Sequence, residues 1–143
     1  SHLLECLING ANSYLKRLND RYELEVYPGT FTIMVTDSYQ DYARRTANTI
    51  SGGETFLVSL ALALAMSDIG EMRGCDTLFI DEGFGSLSGE PLDRAIGTLK
   101  SLHHQVGRRI GIISHIASLR EKIATQIIVE RPTGRAASLR LLC

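Results

Sequence analysis

The sequence predicts an α/β protein with a partly parallel sheet flanked by helices. Three observations point there. Past the middle of the chain, short apolar runs alternate with helical periodicity: Thr77 to Ile80, Leu92 to Leu102, Ile110 to Ile113, then Ala117 to Ile123. That order is the mark of parallel strands joined by helices. The two strand-like runs end in polar pairs, Asp81-Glu82 and Ser114-His115, as buried parallel strands do at the carboxyl edge of a sheet. Finally, 143 residues with 44% hydrophobic and 22% charged content suffice for a core and fit one compact domain rather than two.

Taken in order, Leu3, Leu4, Leu7, Ile8, Ala11, Leu15 and Leu18 recur at spacings of three and four and predict an amphipathic helix over residues 1–20. The pattern starts almost at residue 1, which reads as a truncation that leaves Ser1-His2 from a cloning tag and cuts a helix continuing into a coiled coil. Tyr22, Leu24 and Val26 alternate with polar residues, Pro28-Gly29 turns the chain, and Phe31, Ile33 and Val35 alternate again. This is a hairpin. Asp37 to Asn48, with Tyr39, Tyr42 and Arg44-Arg45, reads as a loop or a loose strand. Phe56 to Met66 is apolar nearly all round and predicts a buried helix starting just after Ser51. At the end, Ile127 to Val129, a turn at Pro132 to Gly134, and Ser138 to Leu142 predict a closing hairpin.

Composition excludes several classes. With 15 basic and 16 acidic residues, net −1, overall charge does not suit a polyanion-coating domain. No apolar run reaches the ~18 residues of a membrane span, and no signal-peptide pattern opens the chain. Cys6, Cys75 and Cys143 show no CxxC spacing, which argues against a disulfide framework or zinc knuckle and for a reducing cytoplasm. The three lysines, Lys16, Lys100 and Lys122, do not follow a glycine, so the chain contains no phosphate-cradling Gly-Lys-Ser/Thr loop. Any nucleotide chemistry is completed by another polypeptide or another segment.

Three places carry candidate chemistry. Ser51-Gly52-Gly53-Glu54 precedes the buried helix. Ser-x-x-Glu is a capping box, and glycine amides at a helix start also present positive charge to an anion; the two readings are compatible. Asp81-Glu82 stands at the end of an apolar strand, followed by Gly83-Phe84-Gly85. Strand neighbours point to opposite faces, so one acid suits a magnesium ion and the other an attacking water. The plainer alternative is a strand end whose acids simply meet solvent. His115, just past the second strand, is either a structural histidine or a hydrogen-bond donor to a phosphate. His103-His104, near a helix C-terminus, gets no function.

In this order the three sites resemble those of ABC-type ATPases. Ser51 to Glu54 is similar to the signature motif, Leu78 to Glu82 to a Walker B strand, and His115 to the switch histidine. SGGETFLVSLALALAMSD, TLFIDEGFGSL and GIISH together resemble the C-terminal head lobe of the SbcC family of SMC-like ATPases, over roughly Ala11 to Val129. Gln after the signature glycines and Asp-Glu-Pro after Walker B, as in ABC transporters, are absent.

The resemblance implies half of an ATPase head, at residues 21–143, with residues 1–20 as the base of a coiled-coil helix and the Walker A lobe supplied from the N-terminal part of the same protein. It implies that Asp81 holds Mg2+, that Glu82 is the general base, and that His115 contacts the γ-phosphate of the same ATP. It further implies that Ser51, Gly52, Gly53 and Glu54 bind ATP held by a second head, and that the head pair controls a DNA nuclease subunit of the SbcD type in repair and recombination. The lone lobe is then inactive and exposes apolar surface, so it self-associates. Ser88 stands where the family usually has the D-loop aspartate; it suits the N-cap of the helix at Leu92, with Pro91 in the first turn, but puts coupling between the two ATP sites in doubt. DNA contact rests on the short clusters Arg44-Arg45, Arg108-Arg109 and Arg131 with Arg135, a composition shared with ordinary solvated surface. The rival readings are an SMC-type chromosome tether using ATP-driven head engagement and a module that has lost hydrolysis. Gly83 to Leu87 departs from the Asp-Ala-Ala-Leu-Asp expected of the first, and intact Glu82 and His115 oppose the second.

Overall fold

The computed structural model describes residues 2–46, 49–69, 77–134 and 136–143. Cys75, Arg135 and the last two residues of the Asp37–Asn48 stretch lie outside them. The chain divides into two compact units, Ser1–Ile113 and Ser114–Cys143, where one body was expected from length alone.

In the first unit, helix α1 (His2–Leu18) buries Ile8, Ala11, Leu15 and Leu18, the face the periodicity predicts, while Leu3 stays exposed. Its crossing with α2 (Gly52–Asp68) is tight, because a Cβ on Gly10 would come 3.3 Å from Ala65 Cβ. The far end of α2 is clamped: Tyr14 donates to Asp68 Oδ2 at 2.5 Å and Arg108 to Asp68 Oδ1 at 2.8 Å. Burial first, then the Asp68 hydrogen bond, pushes the Tyr14 phenol up to about 12.

Strands β1 (Tyr22–Val26), β2 (Ile33–Asp37) and β3 (Ala43–Thr46) form an antiparallel sheet in that order, with Leu24 opposite Val35 and Val35 opposite Arg45. Alternation places Leu24 and Val35 in the core. Asn12 of α1 pairs with the backbone of Leu24 in both directions, at 2.9 and 2.8 Å. That occupies part of an otherwise open sheet edge.

Strands β4 (Thr77–Asp81) and β5 (Arg109–Ile113) pair in parallel, Asp81 opposite Ile113. A 3-10 turn (Phe84–Ser86) and helix α3 (Gly89–Val106) connect them. The parallel pairing matches the sequence; the burial does not. Phe79 is 71% and Ile113 54% exposed: the register puts both on one face of this two-stranded sheet, and that face is open. Phe79 lies instead across Gly111, where a Cβ would come 2.6 Å from its ring.

The second unit holds helix α4 (Ala117–Lys122) and the hairpin β6 (Gln126–Glu130) and β7 (Ser138–Leu142). The hairpin is as the sequence predicts, and Ile127, Val129, Leu139 and Leu141 are all exposed on it. No helix among the described residues is long and apolar enough to cross a membrane.

Candidate active site

The N-terminus of α2 is built by Ser51 and Glu54. Ser51 is the N-cap, with extended backbone, and the capping box is complete: Glu54 N–H donates to Ser51 Oγ at 3.4 Å and Ser51 N–H to Glu54 Oε2 at 2.8 Å. Glu54 has further partners that its spacing does not reveal. The Tyr22 hydroxyl donates to Glu54 Oε1 at 2.5 Å, and an Arg21 amine lies 3.7 Å from the same oxygen. Arg21 in turn grips Asp37 with two parallel bonds of 2.8 and 2.6 Å. Partial burial alone would raise the Glu54 carboxyl, but bonds from Tyr22 and Ser51 and the Arg21 charge hold it below its ordinary value. Burial and the Glu54 carboxylate push the Tyr22 phenol well up. The three-stranded sheet therefore fixes the start of α2. Tyr22→Phe removes a hydrogen bond to an ionised acceptor and is expected to lower stability by about 2 kcal/mol, read by urea unfolding.

The two glycines have different surroundings. A Cβ on Gly52 would meet nothing within 4 Å, whereas one on Gly53 would come 2.8 Å from Ser86 O and 3.1 Å from Leu87 Cδ2. Gly52 is open for an approaching ligand; Gly53 is a glycine because α2 is pressed against the loop after β4. Gly53→Val therefore forces that loop away, and a fall of about 2 kcal/mol or more is expected, checked by thermal unfolding.

Asp81 is the last residue of β4 and is exposed. Glu82 is not a strand residue, as alternation assumed. It takes a left-handed φ of 60°, and Gly83 follows at 93°, so two successive left-handed residues turn the chain off the sheet. The Glu82 N–H still donates to Ile113 O at 2.9 Å. Ser86 Oγ closes the turn on Gly83 O at 2.8 Å. Oxygen donors from Asp81 and Glu82 fit a hard divalent cation, and no group of three or more His, Cys, Asp or Glu is poised for a metal among the described residues.

Ser88 is the N-cap of α3 by position, but its side chain makes no capping bond, which corrects the expected capping role. His115 is exposed and belongs to the second unit, two residues past β5. The structure thus brings the Ser51–Glu54 turn and the loop after Asp81-Glu82 together within one unit. Among the basic clusters, Arg108 is nearly buried on Ser67 and Asp68 and serves the fold, whereas Arg44 pairs with Glu25 at 3.1 Å on the surface and stays largely exposed.

A solved structure described as concerning ATP-driven dimerization and DNA-stimulated activation of SMC ATPases shares this fold, with a TM-score of 0.80 over 99% of this chain and 86% of the other at 14% identity. A family model described as SbcC/RAD50-like, Walker B motif, matches residues 27–101, and the chain belongs to that family. It is 44% identical to the SbcC component of the SbcCD nuclease of Rhodobacter capsulatus, over 96% of this chain and 11% of that protein. With the SbcC component from Vibrio cholerae the identity is 48%, over 90% of this chain and 13% of the relative. The chain therefore spans only a small part of the length of these curated relatives.

Proposed function

We propose that the chain is the C-terminal half of an SbcC-like ATPase head that binds and hydrolyses ATP at the interface of two heads. On this reading a Walker A lobe from the N-terminal part of the same polypeptide completes the head, and the fragment alone is inactive. What supports it is the close approach of Gly53 to Ser86 and Leu87, which packs the glycine-rich helix start against the loop after Asp81-Glu82. Residues 1–20 serve as the base of a coiled-coil helix and residues 21–143 as the lobe.

The residues divide the work. Asp81 would hold Mg2+, which would supply screening of the ATP phosphate charge. Glu82 takes the proton of the attacking water. His115 donates a hydrogen bond to the γ-phosphate of that same ATP. Ser51 Oγ and the amides of Gly52 and Gly53 meet the γ-phosphate of ATP seated in the partner head, aided by the helix dipole. Glu54 is held back by Tyr22 and Arg21, so it shapes the turn rather than touching phosphate. Phosphoryl transfer needs just this positioning and charge stabilisation. Engagement and release of the heads then gate an SbcD-type nuclease subunit acting on DNA in the cytoplasm.

The test is Ser51→Arg in the full-length polypeptide. It places bulk and charge before the open Gly52 while leaving the head's own ATP site alone. ATP binding to single heads should persist, whereas ATP-driven head association, followed by size-exclusion with light scattering, should be lost. Association at the wild-type ATP concentration would refute the trans role of this turn.

A further inference from the structure

One side chain joins the signature turn to Glu82. Phe56 lies one helical turn beyond Gly53 on the same face of α2. Its ring covers the backbone of Gly83 so closely that a Cβ there would come 2.5 Å from Phe56 Cδ2. The same ring meets the fully buried Phe84 edge to face, centroids 4.9 Å apart at 65°. On the other side, the Glu82 N–H is tied to Ile113 O of β5. Glu82 is a bulky residue in the left-handed region, a conformation that persists only where its surroundings impose it. Those surroundings include the β5 carbonyl on one flank and the Phe56 ring over Gly83 on the other.

We propose that Phe56 is a positioning residue for Glu82: by pinning Gly83 it holds the strained turn that aims the Glu82 carboxylate. The inference rests on Glu82 being the base of the reaction proposed above. Leu at this position keeps apolar volume but has no flat face to lie on glycine, so the turn relaxes. Because the base must sit within hydrogen-bond reach of its water, a small displacement is costly to rate and not to binding.

The experiment uses the full-length polypeptide with its nuclease subunit, comparing wild type, Phe56→Leu, Phe56→Tyr, Glu82→Gln and the Phe56→Leu/Glu82→Gln double variant. Phe56→Leu should lower the saturated hydrolysis rate about tenfold while leaving unchanged the ATP concentration for half-maximal head association. Phe56→Tyr, which keeps the ring, should stay within about twofold of wild type in rate. In single turnover, Phe56→Leu should cost nothing further once Glu82 is Gln, since a residue acting through another is non-additive with it. A wild-type rate in Phe56→Leu, a parallel loss of association and rate, or an equal loss in the Glu82→Gln background would each overturn the proposal. Full turnover by Glu82→Gln would instead remove the reading beneath it.

Discussion

Glu82→Gln in the full-length protein is expected to slow ATP hydrolysis by roughly 10²- to 10⁴-fold, the range for a positioned general base, while heads still associate on ATP. Gln keeps the size of the side chain and the left-handed backbone that turns it off β4, but it cannot accept the proton from water at neutral pH. The substitution leaves Asp81, at the end of the strand, and the Ser51–Gly53 turn intact. Trapped, ATP-bound dimers are therefore the accompanying sign. Measuring steady-state phosphate release beside light scattering separates the two: a variant that loses both association and turnover has lost its structure, not its base.

The second large effect concerns the Arg21–Asp37 pair. Asp37 is fully buried and Arg21 is its bidentate partner. Removing the guanidinium with Arg21→Ala leaves a buried carboxylate without its main partner, and a loss of about 3 kcal/mol is expected, seen as a lower urea midpoint. The same substitution takes away the charge beside Glu54, so the signature turn loosens too. The Arg21 bond, against the opposing cost of burial, holds the Asp37 carboxyl below its ordinary value. A depressed carboxyl stabilises the fold above its unfolded value near ~4, and that stability is lost as pH falls through the lower folded value. Wild type should thus lose stability between about pH 4 and lower values, and Arg21→Ala should show a smaller slope there.

Much of this was legible in the residues. The spacing of Ile8, Ala11, Leu15 and Leu18 gives the buried face of α1, and Ser51 with Glu54 gives a cap that the structure completes on both sides. The two apolar runs give the parallel pair β4 and β5, since only that arrangement suits strands joined by a helix. What escaped was whatever depends on partners distant in sequence. Asp37 to Asn48 reads as either a loop or a loose strand, and the choice of strand at Ala43–Thr46 comes from the edge of β2, which offers it hydrogen bonds. Tyr22 reads as one more hairpin residue, and nothing in its spacing reveals that its hydroxyl reaches Glu54. A carboxylate at the start of a buried helix needs partners, but nothing in the sequence points to Arg21 as one. Phe56 reads as a core residue of an apolar helix; its role appears only when Gly83 is seen beneath its ring. Alternation misplaced Glu82, because the left-handed turn begins one residue earlier than glycine alone required.

As the proposed half of a catalytic head, this chain should need its other lobe to turn over ATP. Mg2+-dependent ATP hydrolysis is to be measured for this chain alone, for the N-terminal Walker A lobe alone, and for the two expressed together. Turnover is expected only in the pair, and is lost when Glu82 becomes Gln. Hydrolysis by the lone chain, or a stable pair that neither binds nor hydrolyses ATP, would contradict that expectation.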